Sequence, residues 1–218
     1  MYTPTDTRMY VHNVMVVMQD DQKAPVILKD DAVFQSQGIV LLDFEDGANN
    51  CDNGTLLTNT EIVGTAPKGP YKAIEFTIGV PEKLNHANST TAQSPLNLTG
   101  LWWSWLDGYK FMKVDGRTET MLIGVLFHLG STVCDDTQDQ TSSQNKNTQT
   151  IQLTWQEGQP IVFDLAKLFE DAHLDMDEGE ALGCISGIKD PDCASIFRNL
   201  GLQFGNNVAM PQRVFKTP

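Results

Sequence analysis

Residues 8–18 read RMYVHNVMVVM, and the way apolar and polar side chains trade places along them decides the fold class. A period of two puts Tyr10, His12 and Val14 on one face of an extended chain, which makes a first strand. Working outward, DDQKAP (20–25) turns the chain and VILK (26–29) gives a short second strand. GIVLLDF (38–44) reads as a buried strand that ends in the acidic, Asn-rich loop EDGANNCDNGT (45–55). EIVGTAPKGPYKAIEFTIGV (61–80) reads as two strands joined at Pro67 to Pro70. Further on, YKFMKVD (109–115) and MLIGVLFHLG (121–130) form a hairpin pair, IQLTW (151–155) alternates, and IVFDLAKLF (161–169) is a strand passing into one helical turn. Trp155 is a sheet residue with a packing role. CASIFRNL (193–200) is a short helix with Asp192 as its cap and Gly201 as its stop; Ile196, Phe197 and Leu200 give it an apolar face. Residues 135–150, DDTQDQTSSQNKNTQT, lack any apolar face and are expected to be a mobile excursion between strands. The expectation is an all-β chain, an antiparallel β-sandwich with long loops and a short C-terminal helix, forming one domain over residues 1–218.

With 15 Lys and Arg against 28 Asp and Glu, the formal charge is −13. A surface this acidic repels nucleic acid and anionic lipid, so cations and basic proteins are the expected partners. No apolar run approaches the roughly 20 residues of a membrane helix. The start, MYTPTDTRMY, lacks the basic and apolar regions of a signal peptide, as expected of a mature or trimmed chain. No G-x-S-x-G elbow, phosphate loop or H-E-x-x-H occurs, so the chain is not expected to be an enzyme.

Four cysteines permit three pairings. Cys184 and Cys193 bracket the turn-rich loop ISGIKDPD (185–192) and are expected to pair with each other, leaving Cys51 to Cys134. Buried free thiols are the alternative, and zinc is disfavoured by the lack of any C-x-x-C spacing. Disulfides point to an oxidising compartment, the periplasm or the cell surface.

The chemistry concentrates in LNHANSTTAQSPLNLTGLWWSWLDGYKF (84–111), which holds His86 and three of the four tryptophans. On an extended backbone Trp103 and Trp105 leave one face, Trp102 and Ser104 the other. The loop ANSTTAQSPLNLTGL (87–101) is expected to lie over the site. His128, inside an aliphatic strand, has to find a partner there. Two neutral imidazoles beside an electron-rich aromatic suit a soft or borderline ion such as copper. His12 is a third candidate ligand. The bland reading is that the tryptophans and histidines are packing residues of a sheet. A second acidic segment, EDAHLDMDEGEALGC (170–184), offers His173, Asp175, Asp177, Glu178 and Glu180, a superficial calcium signal without the EF-hand order.

The ordered series PTDTRMYVHNV (4–14), LLDFEDGANNCDNGT (41–55), TNTEIVGTAPKGPYKAIEFTIGVPEKLNH (58–86), PLNLTGLWWSWLDGYKF (95–111), FHLGSTVC (127–134) and GCISGIKDPDCASIFRNLGL (183–202) resembles the MbnP-like family, also called metallo-mystery pair or four-Cys motif proteins. The resemblance implies a periplasmic copper-associated protein whose MauG-like di-haem partner oxidises a tryptophan to kynurenine. It further implies Cu(I) held by two histidines and that kynurenine. By position these are His86, His128 and Trp103, with Trp105 the alternative for modification; neighbouring polar groups are expected to orient the imidazoles, with Asn85, Ser104 and Tyr109 as candidates. Family members carry a further strand with a cysteine before the PTD segment, which offers Cys51 another partner. Two departures stand out: Trp102 replaces a phenylalanine common in the family, and Cys134 lacks the nearby second cysteine of some relatives. A calcium-stabilised structural or adhesive β-domain without copper is the competing expectation.

Overall fold

A computed structural model describes the chain except residues 49, 50, 52, 123, 137–140 and 180. Its organising element is β1 (Thr3–Met18), rich in β-branched and aromatic side chains that suit a pleated, half-buried surface. There follow β2 (Lys23–Pro25), β3 (Ile27–Leu28), β4 (Gln35–Ser36), β5 (Ile39–Asp43), β6 (Gly64–Thr65) and β7 (Tyr71–Ile78). The short helix α1 (Glu82–Asn85) precedes β8 (Trp102–Ser104), β9 (Gly108–Tyr109), β10 (Met112–Arg117) and β11 (Val125–Leu129). Then come β12 (Thr132–Asp136), β13 (Thr141–Asn145), β14 (Gln149–Thr154), β15 (Val162–Phe163), α2 (Leu165–Leu168), α3 (Asp192–Leu200) and β16 (Phe215–Lys216).

One eight-stranded sheet contains β1 and its neighbours. Along one edge β1 pairs with β10 as far as Met9 and with β7 from Val11 onward. The change of partner falls at Tyr10, whose N–H donates to Phe111 O (2.8 Å) and whose carbonyl accepts from Gly79 N (2.9 Å). Along the other edge β5 gives way to β2. A register shift between His12 and Met15, with Asn13 at φ 51°, marks the bend. Asparagine tolerates that left-handed conformation better than most residues. The sandwich is thus two half-sheets sharing β1, a corner made by a strand that serves both. Among the described residues these strands pair antiparallel throughout, with one parallel bridge from Phe127 of β11 to Cys184, so the all-β expectation holds.

The core runs from β1 (Met9, Tyr10, Val11) through Phe76, Ile78, Val114 and Phe127 to Ile196, Phe197 and Leu200 of α3. Each fully buried side chain of this size contributes on the order of 1.5–3 kcal/mol. Gly201 ends α3 at φ 80°, as expected. Asp192 does not cap it: Pro191 precedes the helix without a side-chain bond, and the Asp192 carboxylate accepts from Glu178 N (3.1 Å) instead.

Residues 135–150 depart from expectation. Within the described residues, β12 and β13 pair as a hairpin, and β14 begins at Gln149; residues 137–140 lie outside the description. The 87–101 loop is also less peripheral than its polarity suggests, since Leu96 and Leu101 are fully buried.

Candidate metal centre

The hairpin β8–β9 touches both candidate histidines. Trp103 packs on β11 with its ring 6.4 Å from that of His128, tilted by 51°. Gly130 makes the approach possible: a Cβ there would meet Trp103 Cζ3 at 2.3 Å. Trp105 does not share the face of Trp103, because β8 ends at Ser104 and the chain has begun to turn. Trp105 is 51% exposed, and its carbonyl lies 3.1 Å from His86 Nδ1. Trp102 packs against the core with its buried indole N–H unpartnered among the described residues.

A carbonyl only accepts, so His86 Nδ1 carries a proton, and in the neutral ring Nε2 presents the lone pair. Around Nε2 stand Ser143 Oγ (3.2 Å), Asn85 Nδ2 (3.4 Å) and Glu82 Oε1 (3.6 Å). Asn85, fully buried at the end of α1, fixes this corner by accepting from Tyr109 N (2.9 Å) and donating to Ser131 Oγ (2.8 Å). Gly108, at φ 81°, leaves room for that amide, which a Cβ would meet at 2.5 Å.

His128 is buried, and its Nε2 lies 2.8 Å from Asp115 Oδ1. The carboxylate fixes a proton on Nε2, so in the neutral ring the lone pair falls on Nδ1, which has no hydrogen-bond partner among the described residues. Asp115 is itself held in a buried ladder. Arg8, Lys113 and His128 are successive register partners across β1, β10 and β11. Asp6 accepts from Arg8 and from Lys113 at 2.5 Å each, and Lys113 lies 3.2 Å from Asp115. Burial alone would raise the Asp6 carboxyl, but the Arg8 bond and the two cations hold it below the usual carboxylate range. The edge of β11 is closed by the disulfide segment: His128 N donates to Cys184 O (2.9 Å), and Ser186 Oγ donates to His128 O (2.9 Å).

The expected Cys184–Cys193 disulfide is present and ties α3 to this edge. The expected Cys51–Cys134 disulfide is not formed; both thiols are free. Cys134, on β12, faces Ser143 across the hairpin with Sγ 2.8 Å from the hydroxyl. Cys51 lies in the loop after β5, where burial and a hydrogen bond to Glu45 push its thiol well above the ordinary value. The two sulfurs belong to different neighbourhoods, which chain spacing cannot reveal.

His12 is not joined to this site. Its Nδ1 bonds Gly79 O (2.8 Å), and burial pushes the imidazole down. Of the expected orienting residues, Asn85 reaches His86, whereas Ser104 bonds Asp107 (2.7 Å) and Tyr109 donates to Leu96 O (2.7 Å), so these two shape the hairpin and its packing. In the second acidic segment His173 pairs with Glu178 and Asp175 accepts from Thr120; Glu180 lies outside the described residues. Among the described residues no three His, Cys, Asp or Glu side chains converge as a ready metal cage. Sequence reading missed Glu82, Asp115 and Ser143. Asp115 was discoverable, since the hairpin pairing of its strand with that of His128 was legible; Ser143 was hidden in an all-polar run.

No helix is long and apolar enough to cross a membrane. The chain is similar in structure to MbnP from Methylosinus trichosporium, with a TM-score of 0.84 and 23% identity, over 99% of this chain and 87% of that one. At that identity the likeness establishes the fold. No match was found among curated proteins. The sequence profile of the MbnP family matches residues 1–186 of the 218, and with motifs and fold in agreement the chain belongs to the MbnP family.

Proposed function

We propose that this protein binds copper as Cu(I) through His86 and His128, with Trp103 as the residue converted to kynurenine to supply a third donor. The observation that carries the reading is the contact of Trp103 with His128, on a hairpin whose Trp105 carbonyl also orients His86. Each imidazole has one nitrogen engaged by an oxygen acceptor and the other carrying a lone pair, and neutral nitrogen donors suit the reduced, soft ion. An indole N–H offers no lone pair; oxidative opening yields an aryl amine that does. Asp115 holds the His128 tautomer, and the Trp105 carbonyl holds that of His86. Asn85 and Ser143, 3.4 Å and 3.2 Å from His86 Nε2, help keep the ring in place.

The opening adds two oxygen atoms across the indole double bond, and hydrolysis then releases formate, so an oxidant is required. A MauG-like di-haem partner is the oxidant the family suggests, and the acidic surface, formal charge −13, suits a basic docking face. The Cys184–Cys193 disulfide fits the periplasm or the cell surface, where copper acquisition, storage or delivery would take place. In this reading the protein is a carrier with no catalytic residue. Copper titration of His86→Ala, His128→Ala and His12→Ala tests it. Loss of copper in the first two and retention in the third is expected; full stoichiometry in His86→Ala or His128→Ala would refute the assignment.

A further inference from the structure

Between the sheet and the C-terminal pair β15–β16 lies a cavity of about 840 Å³ to which none of His86, His128 and Trp103 contributes. Its sheet side is formed by Met9, Ile74 and Phe76. Opposite them Phe163 and Phe215 stack at 5.1 Å, and Trp155 adds a third aromatic wall. The volume falls within the roughly 300–1,000 Å³ typical of small-molecule sites, and mostly apolar walls are what such sites have.

The charged groups are of one sign, beside the neutral polar Thr5, Thr7, Thr60 and Gln159. Asp6, Glu45, Asp46 and Glu61 line the cavity, and among the described lining residues there is no lysine, arginine or histidine. Asp6 is already saturated by Arg8 and Lys113, and Glu45 accepts from Gly47 N (2.8 Å) and Thr55 N (2.6 Å). Asp46 and Glu61 are exposed at the mouth, and the Glu61 carboxylate has no partner among the described residues. Aromatic and aliphatic walls on two sides disfavour a sugar, whose hydroxyls face all round, and the carboxylates repel the phosphates of a nucleotide. Carboxylates at the opening disfavour fatty acids and other anions. Aromatic faces and carboxylates together recognise a cation.

We infer that this cavity is a binding site for an amphipathic organic cation, with an aryl or alkyl body between the sheet and Phe163, Phe215 and Trp155, and a single ammonium head at Glu61 and Asp46. The site is independent of copper and of tryptophan oxidation.

Three probes of equal body and different head test it: naphthylethylammonium, naphthylethanol and naphthylacetate, titrated calorimetrically into the full chain. The expected result is saturable one-to-one binding in the order ammonium, alcohol, carboxylate. Glu61→Gln with Asp46→Asn should weaken the ammonium about three- to tenfold, the range for two exposed charge pairs, and leave the alcohol unchanged. Ile62→Trp, which places an indole in the cavity from an irregular segment, should weaken both; if it does not fold, the charge variant decides. Failure of all three probes to bind, carboxylate binding as tight as ammonium, or unchanged ammonium affinity in the charge variant would overturn the inference. A self-associated state that the ammonium dissociates would assign the cavity to a second copy of the chain and overturn it as well.

Discussion

Replacing Asp43 with asparagine should change the stability of the protein in a way that depends on pH. Asp43 is 0% exposed; its Oδ1 accepts from Glu45 N at 3.1 Å, and its Oδ2 has no partner among the described residues. Burial pushes the carboxyl up from the ordinary 3.8 to about 7, against the pull of the Glu45 N–H and Arg8. A raised folded pKa means that folded and unfolded chains both hold the proton at low pH, with no penalty. Above about pH 4 the unfolded chain ionises first, stability falls, and the loss is complete above about pH 7. At 1.36 kcal/mol per unit the roughly three-unit difference caps the loss near 4 kcal/mol, and 2–4 kcal/mol is the working range. In Asp43→Asn the amide oxygen would keep the acceptor for Glu45, but the amide nitrogen would place an unpaired N–H where Oδ2 stands, costing about 1–3 kcal/mol at every pH. The variant should therefore be less stable than the parent near pH 4 and match or exceed it near pH 8. Urea unfolding of both proteins across that range gives the difference directly. A difference that stays flat with pH to within about 0.5 kcal/mol would refute the buried, proton-holding carboxyl.

Gly130→Ala should displace the Trp103 ring, costing about 1–3 kcal/mol in thermal or urea unfolding and changing the tryptophan fluorescence, because the added methyl occupies the indole's place. Asp115→Asn should lower copper affinity about 10- to 100-fold and reduce the Nε2–H population of His128 in nitrogen-detected NMR, since the carboxylate that fixes the tautomer is gone. The paired substitutions Cys184→Ser and Cys193→Ser, which open a loop of sequence separation 9, should cost about 2–3 kcal/mol in unfolding under non-reducing conditions.

β14 was legible because one buried face imposes alternation on its sequence, and β5, β7 and β11, buried on both faces for most of their length, were legible as short apolar runs bounded by turns. The double role of β1 was not, since nothing in RMYVHNVMVVM says that its hydrogen-bonded neighbour changes at Tyr10. The β12–β13 hairpin was illegible for the opposite reason. With few buried side chains beyond Ser143, it has no hydrophobic signature, yet that serine reaches His86. The local disulfide could be read from the turn between Cys184 and Cys193, whereas a pairing of Cys51 with Cys134 rests on elimination, and elimination carries no geometry. Alternation places Trp103 and Trp105 together, but alternation stops where the turn starts, so only Trp103 meets His128. The proposed partnership of His86 and His128 rests on the family motifs; spacing alone did not supply it.

The most direct test is to isolate the native protein from its source and determine the mass of the peptide spanning Trp102–Trp105 and the copper content of the same sample. The prediction is a gain of about four mass units located by fragmentation at Trp103, the net exchange of a carbon for an oxygen, together with about one copper per chain. Unmodified tryptophans in a protein that takes up no copper under mild reducing addition would contradict it.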